Sequence, residues 1–240
     1  MTPYSLSPIG IVRSPFKEKF GIPRQPGLAT SIPARIELLP PYDVPEAFRG
    51  LDECSHIWVI FIFSATASQG WKAMVRPPRL GGNRRLGVFA TRSTFRPNPI
   101  GLSVVRFEGI RQDSNGLWLE VSGADLMDGT PVLDIKPYLP YADSISDATF
   151  TLAPEAEQLN LPVEFSDEAQ QQCAYFSQTL GQSLQQQISE VLRCDPRPAY
   201  KRTEEERIYG ITLHNLNIRW QISLSSIIVL SIAPEPDAVL

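Results

Sequence analysis

Cysteine and histidine are scarce in this chain of 240 residues, which holds 3 of the first and 2 of the second. Cys54, Cys173 and Cys194 are scattered and fall into no CxxC or Cys/His spacing. A zinc site and a disulfide framework therefore lack their ligands, and the pattern suits a reducing compartment, the cytoplasm. With His56 and His214 as the only histidines, no metal is expected. No apolar run approaches the roughly 20 residues of a membrane span. The opening Met1-Thr-Pro-Tyr4 shows no signal-peptide pattern. Also missing are GxGxxG after a strand, GxxxxGK[ST], GxSxG and HExxH. Rossmann-type cofactor binding, a Walker phosphate loop and the familiar hydrolase and zinc-protease sites thus have no signature here.

A further absence is local. From Cys54 to Phe107 there is no Asp or Glu, although the chain as a whole carries a net charge of −4. Lys72, Arg76, Arg79, Arg84, Arg85, Arg92, Arg96 and Arg106 all fall inside that stretch. The negative total argues against a general coat for nucleic acid. The one-sided segment predicts a localised anion site.

Within it lies Phe89-Ala-Thr-Arg-Ser-Thr-Phe-Arg-Pro-Asn-Pro-Ile-Gly-Leu-Ser103, entered from one short apolar run and left into another. Pro97 and Pro99 cannot donate to a ladder, and each drives its predecessor toward an extended conformation. The expected product is a stiff, non-helical loop that aims Arg92, Arg96 and Asn98. Arginine in such a loop suits bidentate recognition of carboxylate or phosphate.

The rest of the chain is punctuated by 22 prolines and 15 glycines. Strands are expected at 5–13, 34–39, 55–63, 86–90, 102–107, 117–121 and 132–138, with Asn115-Gly116 as a hairpin turn. Ser14 to Gly27 is a long proline- and glycine-rich loop that ends in the turn Gln25-Pro-Gly27. Many short strands without a helical period predict a β barrel or sandwich over residues 1–145. A linker follows at 146–165, then a small α+β domain at 166–240. In the latter, Ser166 caps a helix opening on Asp167-Glu168, with Ala169, Cys173, Phe176, Leu180, Leu184, Ile188 and Leu192 at helical spacing and a break near Gly181. Three strands close the chain, after a basic, proline-stiffened loop from Asp195 to Arg202. Asp128-Gly129 suits a hairpin turn. Asp134 and Lys136 alternate about Ile135, so both lie on one face of a strand, where a surface ion pair accounts for them as well as a site does.

Several motifs together resemble the TsaA-like family, also called TrmO. They are Arg13-Ser-Pro15, Pro23-Arg-Gln-Pro-Gly27, Arg79-Leu-Gly-Gly-Asn83, the Gly87 to Ser103 block, Asp128-Gly-Thr-Pro131, Asp134-Ile-Lys-Pro-Tyr138 and Asp195-Pro-Arg-Pro-Ala-Tyr200. The resemblance runs essentially end to end. It implies a mainly β fold, an N-terminal β barrel distinct from Rossmann methyltransferases with a small α+β C-terminal domain, working as a homodimer. It also implies S-adenosylmethionine as cofactor and tRNA as substrate, with methyl transfer to N6 of N6-threonylcarbamoyladenosine at position 37 in the anticodon loop of threonine tRNA.

Carried over by position, the resemblance assigns the cofactor to Gln25, Pro26 and Gly27, to Arg92 and Leu102, and to Leu126, Met127, Asp128 and Gly129. Ser64 and Ala65 stand where the family carries His-Gln, a departure within the same set. The substrate nitrogen is conjugated to a purine and a carbamoyl group, so its lone pair is a weak nucleophile and its proton comes off more easily. Asp134 or Tyr138 is expected nearest N6, with Lys136 on the threonyl carboxylate. Arg96, Asn98, Arg197, Tyr200, Lys201 and Arg202 are expected to meet the RNA. Two other readings of the residues stay open: a non-catalytic RNA-binding module of this fold, and a methyltransferase of this fold with another substrate.

Overall fold

The computed structural model describes residues 3–77, 84–152, 158–197 and 207–236. It is mainly β, and the pairing of its first sheet explains where the functional loops go. That sheet is built from β1 (Gly10–Arg13), β2 (Pro33–Leu38), β3 (His56–Ile62), β6 (Ile100–Asp113), β7 (Gly116–Ser122) and β8 (Pro131–Pro137). Two short strands, β4 (Met74–Val75) and β5 (Leu86–Gly87), pair with each other in the connection between β3 and β6. The large sheet runs β1-β2-β7-β6-β3-β8 and closes from β8 back to β1, so every strand has two neighbours and no edge is free. Alternation sorts the side chains. Ile57, Val59 and Phe61 of β3 point inward with Val12, Ile36, Val105, Leu119 and Val132, and together they fill the interior.

The register sets the two ends of this closed sheet. Ile62 pairs with Ile100, Pro33 with Ser122 and Ile11 with Pro131. The connections 14–32, 63–99 and 123–130 therefore emerge at the same end. At the opposite end lie the 39–55 connection, the tight hairpin between β6 and β7, and the chain leaving β8 toward the short α2 (Pro140–Asp143). A single turn of helix, α1 (Ser64–Ala67), follows β3 at the first end.

The second unit is a four-stranded sheet of order β10-β11-β12-β9 against two helices. β9 is Val163–Phe165, β10 Tyr209–Leu213, β11 Leu216–Ile222 and β12 Ile227–Pro234. α3 spans Asp167–Leu180 and α4 Leu184–Arg193. Ser166 accepts from the Ala169 N–H as the expected cap, and the predicted break falls at Gly181. The expected linker is not all linker. Its last residues form β9, parallel to β12, and Leu159 and Leu161 pack on the same core. The alternation Leu159, Leu161, Val163, Phe165 carries that signal, masked by the intervening Asn160, Pro162 and Glu164.

The second core, around Trp220, Ile211, Leu184 and Ile188, also takes in Phe16, Ala29 and Ile32 from the 14–32 connection. Polar ties reinforce this. The Ser31 N–H donates to Glu190 Oε2 at 2.8 Å, the His214 N–H to the Pro15 carbonyl at 3.1 Å, and Gln158 Nε2 to the Leu28 carbonyl at 3.0 Å. The long loop of the first unit is thus clamped by the second. Among the described residues no helix is long and apolar enough to cross a membrane.

Candidate functional site

The three connections at one end of the closed sheet carry most of the residues expected to hold the cofactor. Gln25 and Arg92, 67 positions apart, meet directly: Arg92 Nη1 donates to Gln25 Oε1 at 2.5 Å. The Gln25 amide nitrogen is turned back onto the Arg24 carbonyl at 2.6 Å, which fixes the oxygen toward Arg92. Pro26 and Gly27 complete the turn. Gly27 sits at φ 77 with open space where a side chain would go, and its N–H donates to the Gly123 carbonyl at 2.8 Å. The first and third connections are thereby stitched together beside Arg92.

The 126–129 segment is anchored on the other side. Leu126 is buried in the first core, and its carbonyl accepts from Ser14 Oγ at 2.7 Å. The Met127 carbonyl accepts from Thr130 Oγ1 at 2.7 Å. The Asp128 carboxylate accepts from the Ser14 N–H at 3.0 Å and pairs with Lys17 Nζ at 2.9 Å. The Asp128 and Gly129 N–H groups donate to the carbonyls of Phe16 and Val12. Asp128 is therefore engaged on both oxygens, and what this segment offers outward is half-buried Met127 and exposed Gly129.

Ser64 and Ala65 open α1 and are exposed; the Ala65 carbonyl accepts from Lys19 Nζ at 3.4 Å, which brings α1 alongside the first connection. Leu102 stands apart. It is 51% exposed on the outer face of β6, opposite Ile60, which in turn faces Asp134 of β8. Asp125, which the sequence did not single out, belongs to the cluster: Ser103 Oγ donates to its Oδ1 at 2.6 Å. Burial pushes the Asp125 carboxyl above its ordinary pKa, while Ser103, its own N–H and the nearby Arg92 charge pull against that.

The expected catalytic residues are placed differently. Asp134 and Lys136 pair with each other at 2.8 Å on the outer face of β8, both well exposed. Tyr138 lies past the end of β8, its ring 5.7 Å from that of Trp58, at the end opposite the loop cluster. At about 3.3 Å per residue, β8 alone carries Tyr138 on the order of 20 Å from Pro131 at the loop end. A single chain does not bring Tyr138 to Arg92.

Among the expected RNA contacts, Asn98 is exposed. Arg96 instead braces its own loop: its Nη1 donates to the carbonyls of Thr91 at 2.8 Å and Val88 at 3.3 Å, and its guanidinium lies over the Phe89 ring. Arg197 is placed inside the protein rather than on its surface. It is 5% exposed, and its Nε donates to Asp195 Oδ1 at 2.8 Å in a buried ion pair, while its carbonyl accepts from Arg24. It ties the Asp195 turn to the Gln25 loop through Arg24. Tyr200, Lys201 and Arg202 lie outside the described residues, as does the motif Arg79 to Asn83 apart from its sequence. Among the described residues no group of three or more His, Cys, Asp or Glu could hold a metal ion.

Comparison with known proteins fits this geometry. Residues 11–144 match the family model of the tRNA-methyltransferase O N-terminal domain, and 158–235 that of the TrmO C-terminal domain. The chain is 45% identical over 236 residues to the tRNA (adenine(37)-N6)-methyltransferase of Escherichia coli K12, covering 98% of this chain and 100% of the other. A Pseudomonas aeruginosa protein that carries an S-adenosylmethionine-dependent methyltransferase name is 50% identical, over 98% of this chain and 95% of its own. The crystal structure of TrmO from Pseudomonas aeruginosa superimposes with a TM-score of 0.80 at 42% identity, covering 97% of this chain and 100% of that one. Both halves of the fold are those of a two-domain tRNA methyltransferase. The chain belongs to the TrmO family.

Proposed function

We propose that this chain transfers the methyl group of S-adenosylmethionine to N6 of N6-threonylcarbamoyladenosine at position 37 of threonine tRNA, in the cytoplasm. The observation that carries the reading is the meeting of Gln25, Gly27, Arg92 and the 126–129 segment at one end of a closed sheet. It stands in a chain similar along its whole length to a tRNA (adenine(37)-N6)-methyltransferase. We read the closed sheet as the family's β barrel, with its three long connections as the ligand-holding end.

The cofactor supplies an electrophilic methyl on a sulfonium. The protein's part is to hold and align. Arg92, already oriented by Gln25, suits the methionine carboxylate in a two-pronged contact. The Gln25-Pro26-Gly27 turn suits the adenine edge, with Met127 as an apolar neighbour. Much of the barrier to an in-line transfer falls to alignment of this kind. For the RNA, the acid-free segment supplies Lys72, Arg76, Arg84 and Arg85, interleaved with Trp71 and with Phe89, which is 74% exposed. Exposed aromatics among cations suit an unstacked anticodon loop.

A homodimer gives Asp134, Lys136 and Tyr138 a route to the site. They share the outer face of the sheet with the exposed apolar Ile100 and Leu102, a surface that a second copy can cover. In that arrangement the outer face of one chain stands toward the loops of the other.

The test is transfer of tritium from labelled S-adenosylmethionine into total tRNA from cells that do or do not make threonylcarbamoyladenosine. Label entering only the modified pool is the expected result. Label in neither pool, with the cofactor bound, points to another substrate. Absence of cofactor binding overturns the enzyme reading in favour of an RNA-binding module.

A further inference from the structure

We propose that Phe89 is the stacking platform on which an unstacked base of the substrate RNA rests, with Arg96 as the positioning residue that holds its ring. The inference rests on the tRNA reading given above and names the side chain that meets a base.

Its basis is a turn that is fixed while the ring it carries is left in water. Val88, Phe89 and Ala90 form a single tight helical turn between β5 and the Arg92 loop. Val88 is 1% exposed and Phe89 74%. The Val88 N–H donates to the Ala73 carbonyl at 3.0 Å. The Val88 carbonyl accepts from the Thr91 N–H at 3.1 Å, from Thr91 Oγ1 at 2.8 Å and from Arg96 Nη1 at 3.3 Å. Arg96 Nη1 also donates to the Thr91 carbonyl at 2.8 Å, and its guanidinium carbon lies over the Phe89 ring, 5.6 Å from the centre. That separation is within reach of a cation–π contact.

Single exposed apolar side chains are ordinary on a protein surface. Phe89 differs because its backbone is held at both ends of the turn and a cation lies over its ring, so the ring is kept from folding back onto the loop. Phe95 in the same loop shows the contrast. It is half-buried, with Lys72 Nζ 4.0 Å from its ring centre, and its carbonyl accepts from the Lys72 N–H at 3.1 Å. Phe95 closes the loop, whereas Phe89 faces out of it. Ordering a ring before its partner arrives lowers the entropic cost of binding.

The charge around the ring selects a base over an apolar partner. Arg84, Arg85 and Arg92 are exposed on the same connection, and no acid lies between Cys54 and Phe107. Cations beside an open aromatic face suit single-stranded nucleic acid. In-line transfer to N6 needs the adenine clear of its neighbours in the RNA loop, and stacking lost there is restored on an aromatic ring. Phe89 stands on the same rigid loop as Arg92, whose guanidinium Gln25 orients. A phenyl ring has neither donor nor acceptor, so it takes a base by its face and leaves base identity to be read elsewhere. Arg96, with Nη1 committed to two carbonyls, acts on the RNA through Phe89.

The experiment measures binding of threonine tRNA carrying threonylcarbamoyladenosine, by fluorescence anisotropy, to the full chain. S-adenosylmethionine affinity, melting temperature and oligomeric state are measured on the same proteins. Phe89→Leu keeps apolar bulk but loses the aromatic face; it should bind the RNA about tenfold more weakly and the cofactor as wild type does. Phe89→Trp should bind the RNA at least as tightly as wild type. Arg96→Lys keeps the charge but not the planar fork; it should lose about threefold in RNA affinity, and nothing further in the Phe89→Leu protein. Single abasic sites taken through the anticodon loop should reveal one position at which Phe89→Leu no longer costs affinity. Undiminished RNA affinity in Phe89→Leu, or losses that add at every abasic position, overturns this inference and leaves the tRNA reading standing. An equal loss of cofactor affinity or a change of oligomeric state in Phe89→Leu also overturns it, since the ring then serves the cofactor or a second copy. Absence of RNA binding by wild type overturns the tRNA reading itself.

Discussion

Gly101→Ala tests the packing that ends the rigid loop and begins β6. Gly101 lies directly opposite Phe61 of β3, one residue before Leu102 and two before Ser103. A Cβ at Gly101 would stand 2.2 Å from Phe61 Cζ, 2.4 Å from Cε2 and 2.8 Å from Cε1. Carbon atoms in van der Waals contact sit about 3.5–4.0 Å apart, so the ring would have to retreat by on the order of 1.5 Å. It has little room to do so, since Phe61 is buried and meets Phe63 edge-on at 5.0 Å. Overpacking of this kind costs about 1–3 kcal/mol. The gain from a less flexible unfolded chain, about 0.4–1 kcal/mol, offsets only part of it. Phe61→Leu removes the obstructing ring atoms, so the double variant should be more stable than the sum of the singles by about 1–2 kcal/mol. Urea unfolding followed by tryptophan fluorescence on the four proteins gives the full cycle. A Gly101→Ala protein within about 0.5 kcal/mol of wild type, or strictly additive effects, would refute the close approach as the reason for glycine here.

Arg197→Ala should destabilise the fold by about 3–5 kcal/mol, because it removes the cation of a buried ion pair. Measured where the variant is folded, its tRNA affinity should equal that of wild type; a selective loss of RNA binding with an unchanged melting temperature would reinstate Arg197 as a contact. His214 gives a pH prediction: burial first, and the Lys17 charge second, lower its pKa from 6.5 to about 4. The folded protein keeps it neutral while the unfolded chain protonates, so stability present above pH 6.5 declines toward about pH 4, by about 1–3 kcal/mol after allowance for partial exposure. His214→Asn, compatible with the positive φ of 54° at that position, should flatten the decline in urea midpoints measured across that range.

Much of this fold could be read from local pattern. The Ser166 cap, the acids after it and the three- and four-residue spacing up to Leu192 mark α3 and α4 because helix signals are short-range. The stiffness of the Arg92 to Asn98 loop could be read for a similar reason, since proline acts on its own φ and its immediate predecessor. Where the sequence misled, the deciding partner was distant or its pattern was ambiguous. In β3 both faces are apolar, so alternation cannot tell that Ile57, Val59 and Phe61 are the inward set. Asp195-Pro-Arg197 looked like a basic loop for RNA; the acid two residues before the arginine was the one hint of an internal pair. Asp125 had no local hint, since its partner Ser103 lies 22 residues away, on β6.

The largest omission concerns the 14–32 connection, whose prolines and glycines suggested a free functional loop. Phe16, Ala29 and Ile32 have no common period, yet all are buried in the second core. Glu190, Gln158 and the backbone of His214 hold the polar groups around them. Gln25 sits within that clamped stretch, and through Gln25 so does one side of Arg92. The second unit therefore contributes to the site without placing a side chain beside Arg92: it fixes both flanks of the turn that orients the arginine. A contribution of that kind is carried by packing between residues more than 100 positions apart, as Ser31 and Glu190 are, and no local motif encodes it.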